Sequence, residues 1–137
     1  MSKEVINLKI HSQFSICEGA IKINQLSDFC KKNKVSAVGI CDNENLSGAL
    51  EFSNELSKLG IQPIIGTTIY LKDAVDKEIF YGKISLFAKN NKGYKNLLKL
   101  SSKSYLNLKD EDNKPNISFD LLTRYLDGII ILIGGSK

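Results

Sequence analysis

SAVGICDNENLSGALEFSNELSKLGIQPIIGTTIYL, residues 36–71, decides how this chain folds. Residues 36–42 are apolar or small until Asp42. A strand buried on both faces reads this way, delivering a polar group at its C-terminal end. Residues 46–59 follow as a helix stopped by Gly60, a residue that accepts the left-handed conformation helices end on. Residues 61–71 return as another apolar strand, and Pro63 places its start outside central pairing. Strand, helix and strand in this order make a parallel βαβ unit.

The same alternation extends outward in both directions. Upstream, residues 5–11 (VINLKIH) read as a first strand running into a loop with Gly19 as its turn residue. A helix opens at Ile23 or Asn24, with Leu26, Phe29 and Cys30 on one face, and closes at KKNK. Downstream, residues 72–81 are mixed and charged and read as a variable turn. Residues 83–89 form a fourth strand, and residues 93–105 a long helix. The polar segment 108–116 (LKDEDNKPN) reads as flexible, Ser118 as the N-cap of a helix over 119–127, and residues 129–134 as the last strand. The expected class is α/β, with mostly parallel pairing and helices packed outside, as an open sheet or part of a closed barrel. The final GGSK follows an apolar strand with no further helix, the pattern of a segment cut from a longer chain.

With 137 residues, 42% hydrophobic and 25% charged, the chain has the composition of one soluble globular domain. It has no apolar run near the about 20 residues of a membrane span, and its start lacks a secretory core. Cys17, Cys30 and Cys41 lack CxxC spacing and read as reduced thiols of a cytoplasmic protein. The net charge of +4 is unevenly spread: residues 82–109 hold seven lysines and no acid, which leaves −3 for the remainder.

Strand C-termini line the reactive side of parallel α/β structures, and here they present His11, Asp42, Thr67 and Thr68. His11 is the only histidine in the chain. A lone histidine with scattered carboxylates suits a weak magnesium or manganese site or a purely structural role, and is too few for structural zinc. Ser12 and Ser15 follow closely, but neighbouring strand side chains face opposite ways, and there is neither a GxSxG elbow nor a P-loop. Lys92, Lys95, Lys99 and Lys103 line one helix face, with Tyr94, Leu97, Leu98, Ser101 and Tyr105 on the other. That face reads either as a contact surface for nucleic acid or a partner, or as a solvated exterior.

Five stretches together resemble the N-terminal region of the bacterial DNA polymerase III alpha subunit family, a PHP (polymerase and histidinol phosphatase) domain. They are VINLKIHSQFSICEGAIKI, VSAVGICDNENLSGALEFSNE, LGIQPIIGTTIYL, LFAKNNKGYKNLLKLSS and LDGIIILIGG. The resemblance implies the first part of a distorted barrel of seven βα units. It also implies a metal site whose ligands this sequence largely lacks. His11 is kept, but Lys9 stands at the other place of a His-x-His pair. Glu18 precedes Gly19 where aspartate is usual, and Asp42 is followed by Asn43 in place of histidine. Thr68 replaces a glutamate, and Lys83 a histidine. The expectation is a degenerate centre without metal, in which Lys9 or Lys83 ion-pairs with Glu18 or Asp42.

By the same resemblance the parent protein is a DNA-directed DNA polymerase whose magnesium sits in domains outside this segment. The segment itself is expected to be inactive and to need no cofactor. Its implied partners are the polymerase domains of the same chain and a proofreading exonuclease subunit, with DNA reached through the parent. Apolar edges near residues 129–133 and 5–10 lead to an expectation of self-association. The alternative is a metal-dependent phosphoesterase or nuclease of the PHP type, for which His11, Glu18 and Asp42 are the available donors.

Overall fold

The computed structural model describes residues 5–75, 78–108, 112 and 114–134. Helices α1 (Ile23–Lys32), α2 (Ala49–Lys58), α3 (Asn91–Leu106) and α4 (Phe119–Arg124) alternate with strands β1 (Ala37–Asn43), β2 (Gln62–Val75), β3 (Glu78–Ala88), β4 (Asn116–Ile117) and β5 (Ile129–Leu132). The strands form one sheet in the order β1-β2-β3-β5, and β4 lies beside the far half of β2.

The βαβ unit forms as read, with β1 and β2 parallel from Ala37↔Gln62 to Asn43↔Thr68. The expectation of mostly parallel pairing is corrected. β2–β3 and β3–β5 are antiparallel, so the α/β sheet is mixed. The reason lies in residues 72–81, which extend two long strands up to the Val75↔Glu78 pair and are not a simple turn. Mixed, charged residues hide these strands from a reading that looks for apolar alternation.

Residues 5–11 are also corrected. They run beside β1, with Gly39 N–H donating to the Asn7 carbonyl and Cys41 N–H to the Ile10 carbonyl, both at 2.8 Å. Two steps along β1 match three along the N-terminal run, and this extra residue breaks the ladder. Gly39 makes the close crossing workable, since a Cβ there would lie 2.5 Å from the Leu8 carbonyl oxygen.

Helices α1 and α4 start where the sequence placed them, while α2 starts three residues later and α3 two residues earlier. Asn90, whose side chain accepts from Gly93 N–H at 2.9 Å, caps α3. Asn45 accepts from Ser47 N–H at 3.0 Å, which holds a turn ahead of α2. Ser118 caps α4 as expected, accepting from Leu121 N–H at 3.2 Å. Of the segment read as flexible, residues 109–111 and 113 lie outside the described residues, as does most of the terminal GGSK, while Asn116 and Ile117 form β4.

Strand alternation sorts the sheet into two faces. Val38 and Ile40 of β1, with Ile65 of β2, pack on Ile23, Leu26 and Cys30 of α1 and on Phe52 and Leu56 of α2. Further along the same face, Ile69, Ile84 and Leu86 pack on Leu97, Leu100 and Leu122. The opposite face carries Gly39, Cys41, Asn43, Thr68, Tyr70, Lys83 and Ser85 in register. The C-terminal end of β1 therefore offers Asp42 to the helix side and Asn43 to the other.

Candidate functional site

Asp42, only 2% exposed, is enclosed by the loop that follows the N-terminal run. One carboxylate oxygen accepts from Ser12 N–H and the Ser15 hydroxyl, both at 2.6 Å, and the other from the Ser12 hydroxyl at 2.7 Å. Ser15 Oγ also accepts from Asn43 N–H at 3.0 Å, and Thr67 donates to the Asp42 carbonyl at 2.9 Å. Charge-assisted bonds of this kind are short and strong, and they fix the loop to the strand end. Ser12 and Ser15 thus serve the aspartate and do not activate a nucleophile with His11. Their three-residue spacing after a strand was the one sequence signal for this role.

His11 Nδ1 lies 2.7 Å from the Cys41 carbonyl and donates to it, since a carbonyl oxygen can only accept. Cys41 belongs to a buried chain on the sheet face opposite the helices, with Thr68 Oγ1 3.3 Å from its sulfur and Ser85 Oγ 3.4 Å further on. Thr68, at the place of the implied glutamate, is fully buried there.

Glu18 meets two donors. Lys83 Nζ lies 3.5 Å from Glu18 Oε2, and Asn43 Nδ2 donates to the same oxygen. Of the pairings the charges allow, Lys83 with Glu18 forms. Asp42 binds hydroxyls instead, and Lys9 has no ion pair among the described residues. Tyr70 extends the cluster: Lys83 sits 5.6 Å from its ring centre and Lys114 4.6 Å, and Lys114 Nζ donates to its hydroxyl at 2.8 Å. That hydrogen bond holds the Lys114 ammonium above its ordinary range, with the charges of Glu44 and Glu18 adding to the effect. Tyr70 and Lys114 had no sequence signal, because 44 positions separate them.

Among the described residues the two acids of the site are engaged by protein groups: Asp42 accepts from two hydroxyls and one backbone amide, and Glu18 lies beside the Lys83 ammonium, whose charge opposes a cation there. Among the described residues no three His, Cys, Asp or Glu side chains converge.

The lysine face of α3 is only partly free. Lys92 ion-pairs with Asp127, and Lys99 and Lys103 lie 5.7 and 6.0 Å from the ring centre of Tyr125. The buried side of the helix is Gly93, Asn96, Leu97, Leu100 and Ser104, so Leu98 and Tyr105 face solvent.

Cys30 and Cys41 are buried and Cys17 is exposed. Burial pushes both buried thiols up; at Cys41 hydrogen bonds from Thr68 and Ser85 and the charge of Lys9 oppose it in part. Iodoacetamide at neutral pH is therefore expected to label Cys17 alone in the folded protein and all three cysteines in urea. Rapid native labelling of Cys41 would contradict the buried chain. Because folding holds these thiols protonated, their contribution to stability is complete below the ordinary thiol range and is lost as pH rises from that range through their raised values in the folded protein.

No helix among the described residues is long and apolar enough to cross a membrane. The DNA polymerase III subunit alpha of Borreliella burgdorferi is 41% identical over 132 residues, which cover 91% of this chain and 11% of that protein. The subunit alpha of Aquifex aeolicus is 38% identical over 144 residues, covering 96% of this chain and 12% of its own. The chain thus spans about a tenth of the length of the curated relatives it matches. A solved structure from Bifidobacterium adolescentis, provisionally assigned as a metal-dependent phosphoesterase, covers 88% of this chain and 43% of its own at 18% identity. Its TM-score is 0.48. The family profile described as PHP domain matches residues 7–137, and the chain belongs to that family.

Proposed function

We propose that this PHP domain is a structural and docking module of a replicative DNA polymerase III alpha subunit, with no catalytic activity of its own. The observation that carries the reading is the state of the two acids. Asp42 binds the Ser12–Ser15 loop and Glu18 binds Lys83, so protein groups hold the strand ends that a metal cluster would hold in a phosphoesterase. In this reading the domain forms part of a distorted barrel, braces the polymerase domains of the longer chain and docks a proofreading exonuclease subunit in the cytoplasm. DNA and magnesium are handled by the polymerase domains. β5, at the sheet edge with Ile130, Leu132 and Ile133 exposed, favours association with further protein, including a second copy.

The rival reading, a metal-dependent phosphoesterase or nuclease of the PHP type, has one observation in its favour. The Cys41 carbonyl accepts from His11 Nδ1, as backbone carbonyls do from the free ring nitrogen of metal-ligating histidines. Calorimetric titration of chelator-treated protein with zinc and manganese, repeated on His11→Ala, separates the two. The docking reading expects only a weak background that the substitution leaves unchanged. Tight binding abolished by His11→Ala would overturn it.

A further inference from the structure

The outer face of α3 has a composition that the barrel scaffold does not require. Leu98 is 42% exposed, Tyr105 50% and Leu106 81%, on a helix that already buries Leu97 and Leu100 in the core. Between Leu98 and Leu106 runs a shallow groove of about 290 Å³, walled by Lys99, Ser102 and Lys103. Leu98, Ser102 and Leu106 are spaced four apart and form one ridge along the helix. Lys95, Lys99 and Lys103 form the adjoining ridge. Large exposed apolar side chains in a row mark interaction surfaces more often than scattered ones do.

We propose that this face docks an acidic segment that carries apolar anchors, with leucine-like side chains entering the Leu98–Leu106 groove and carboxylates meeting the three lysines. Charge complementarity selects the occupant. Residues 82–109 contain seven lysines and no acid. Lys92 is neutralised by Asp127, but among the described residues no carboxylate pairs with Lys95, Lys99 or Lys103. Lys99 and Lys103 are held against the Tyr125 ring, which limits their freedom before a partner arrives and lowers the entropic cost of binding. The two leucines at the ends of the groove speak against nucleic acid, because a phosphate backbone would contact the lysines and leave the apolar ends unfilled. The inference rests on the docking role proposed above and adds its surface and the chemistry of its partner.

The test uses two probes on this chain, the exonuclease subunit from the same genome and a fluorescein-labelled helical peptide with leucines four apart flanked by glutamates. Two variants accompany the wild type, Leu98→Ser with Leu106→Ser, and Lys95→Glu with Lys99→Glu and Lys103→Glu. All five side chains are surface positions, and thermal unfolding verifies that the variants fold. Slowed amide exchange over residues 95–106 on exonuclease binding is expected, with affinity at least tenfold weaker in each variant. Exonuclease binding without protection of α3, or with full affinity in both variants, overturns this surface and leaves the docking reading standing. If the exonuclease does not bind at all, the docking reading fails and the peptide decides alone. Binding that needs both the leucines and the lysines supports the surface. No binding, or binding to single-stranded DNA that needs only the lysines, overturns it.

Discussion

Replacing Asp42 with alanine is expected to destabilise the protein by about 3–5 kcal/mol, a loss a urea titration reads directly. The carboxylate is buried and accepts from three donors, Ser12 N–H, Ser12 Oγ–H and Ser15 Oγ–H. Its removal leaves those donors in a site too closed for water, at about 1–3 kcal/mol for each group left unpaired. It also frees the loop before α1, whose residues Ile23, Leu26 and Cys30 belong to the first core cluster. Asp42→Asn, of the same shape, retains one acceptor oxygen and turns the other into a donor facing a hydroxyl, so about half the loss is expected. A double-mutant cycle with Ser12→Ala should show coupling of about 1–2 kcal/mol, since the two residues exchange the short side-chain bond. Asp42→Ala within 1 kcal/mol of wild type would remove the structural role assigned to this acid. A large loss seen only when metal is present would move it back toward catalysis.

How much of this was legible in the sequence depends on where each residue's energy comes from. Residues 36–42 and 61–71 were readable because strands buried on both faces must be apolar or small throughout, and Val38, Ile40, Ile65 and Ile69 on the helix face with Gly39, Cys41 and Gly66 on the other supply that signal. Ser118 was readable because a cap acts within one turn of chain. Residues 72–81 were not, since their mixed, charged sequence carries no apolar alternation to read. The first run, 5–11, has the composition of a strand, but its pairing fails by one residue of register, and register is set by the partner strand.

The site divides in the same way. Lysine, asparagine and threonine at the positions of the implied ligands were visible in the sequence as Lys9, Lys83, Asn43 and Thr68. The identity of the replacement partners was visible only as a short set of charges. That Lys83 takes Glu18 while Asp42 takes two serines follows from strand alternation, which sends Asp42 and Asn43 to opposite faces of the sheet. The Tyr70–Lys114 contact depends on β4 reaching Tyr70, a tertiary event with no local trace.

The second large effect is expected at Gly93. A Cβ added there would overlap the carbonyl oxygen of Gly128 and lie 2.5 Å from its carbonyl carbon. The obstructing atoms are backbone, so no side-chain rotation relieves the clash. Gly128 has φ +76, a conformation that itself favours glycine. Three hydrogen bonds fasten the junction, Lys89 N–H to the Gly128 carbonyl at 2.8 Å, Asn96 Nδ2 to the Asp127 carbonyl at 2.8 Å and Gly93 N–H to Asn90 Oδ1 at 2.9 Å. Gly93→Ala must push the start of α3 away from the turn that launches β5, at an expected cost of about 3 kcal/mol or more in a denaturant titration. Gly82→Ala is the control, because nothing lies within 4 Å of its added methyl group. It should be neutral or stabilise by up to about 1 kcal/mol through the unfolded state. A loss at Gly93 no larger than at Gly82 would mean that the two backbones are not in contact. The junction also fixes the direction of α3, and with it the placement of Leu98, Leu106 and the three lysines. Gly93→Ala protein that remains folded should therefore bind the acidic probe more weakly than wild type, although none of the proposed contact residues has changed.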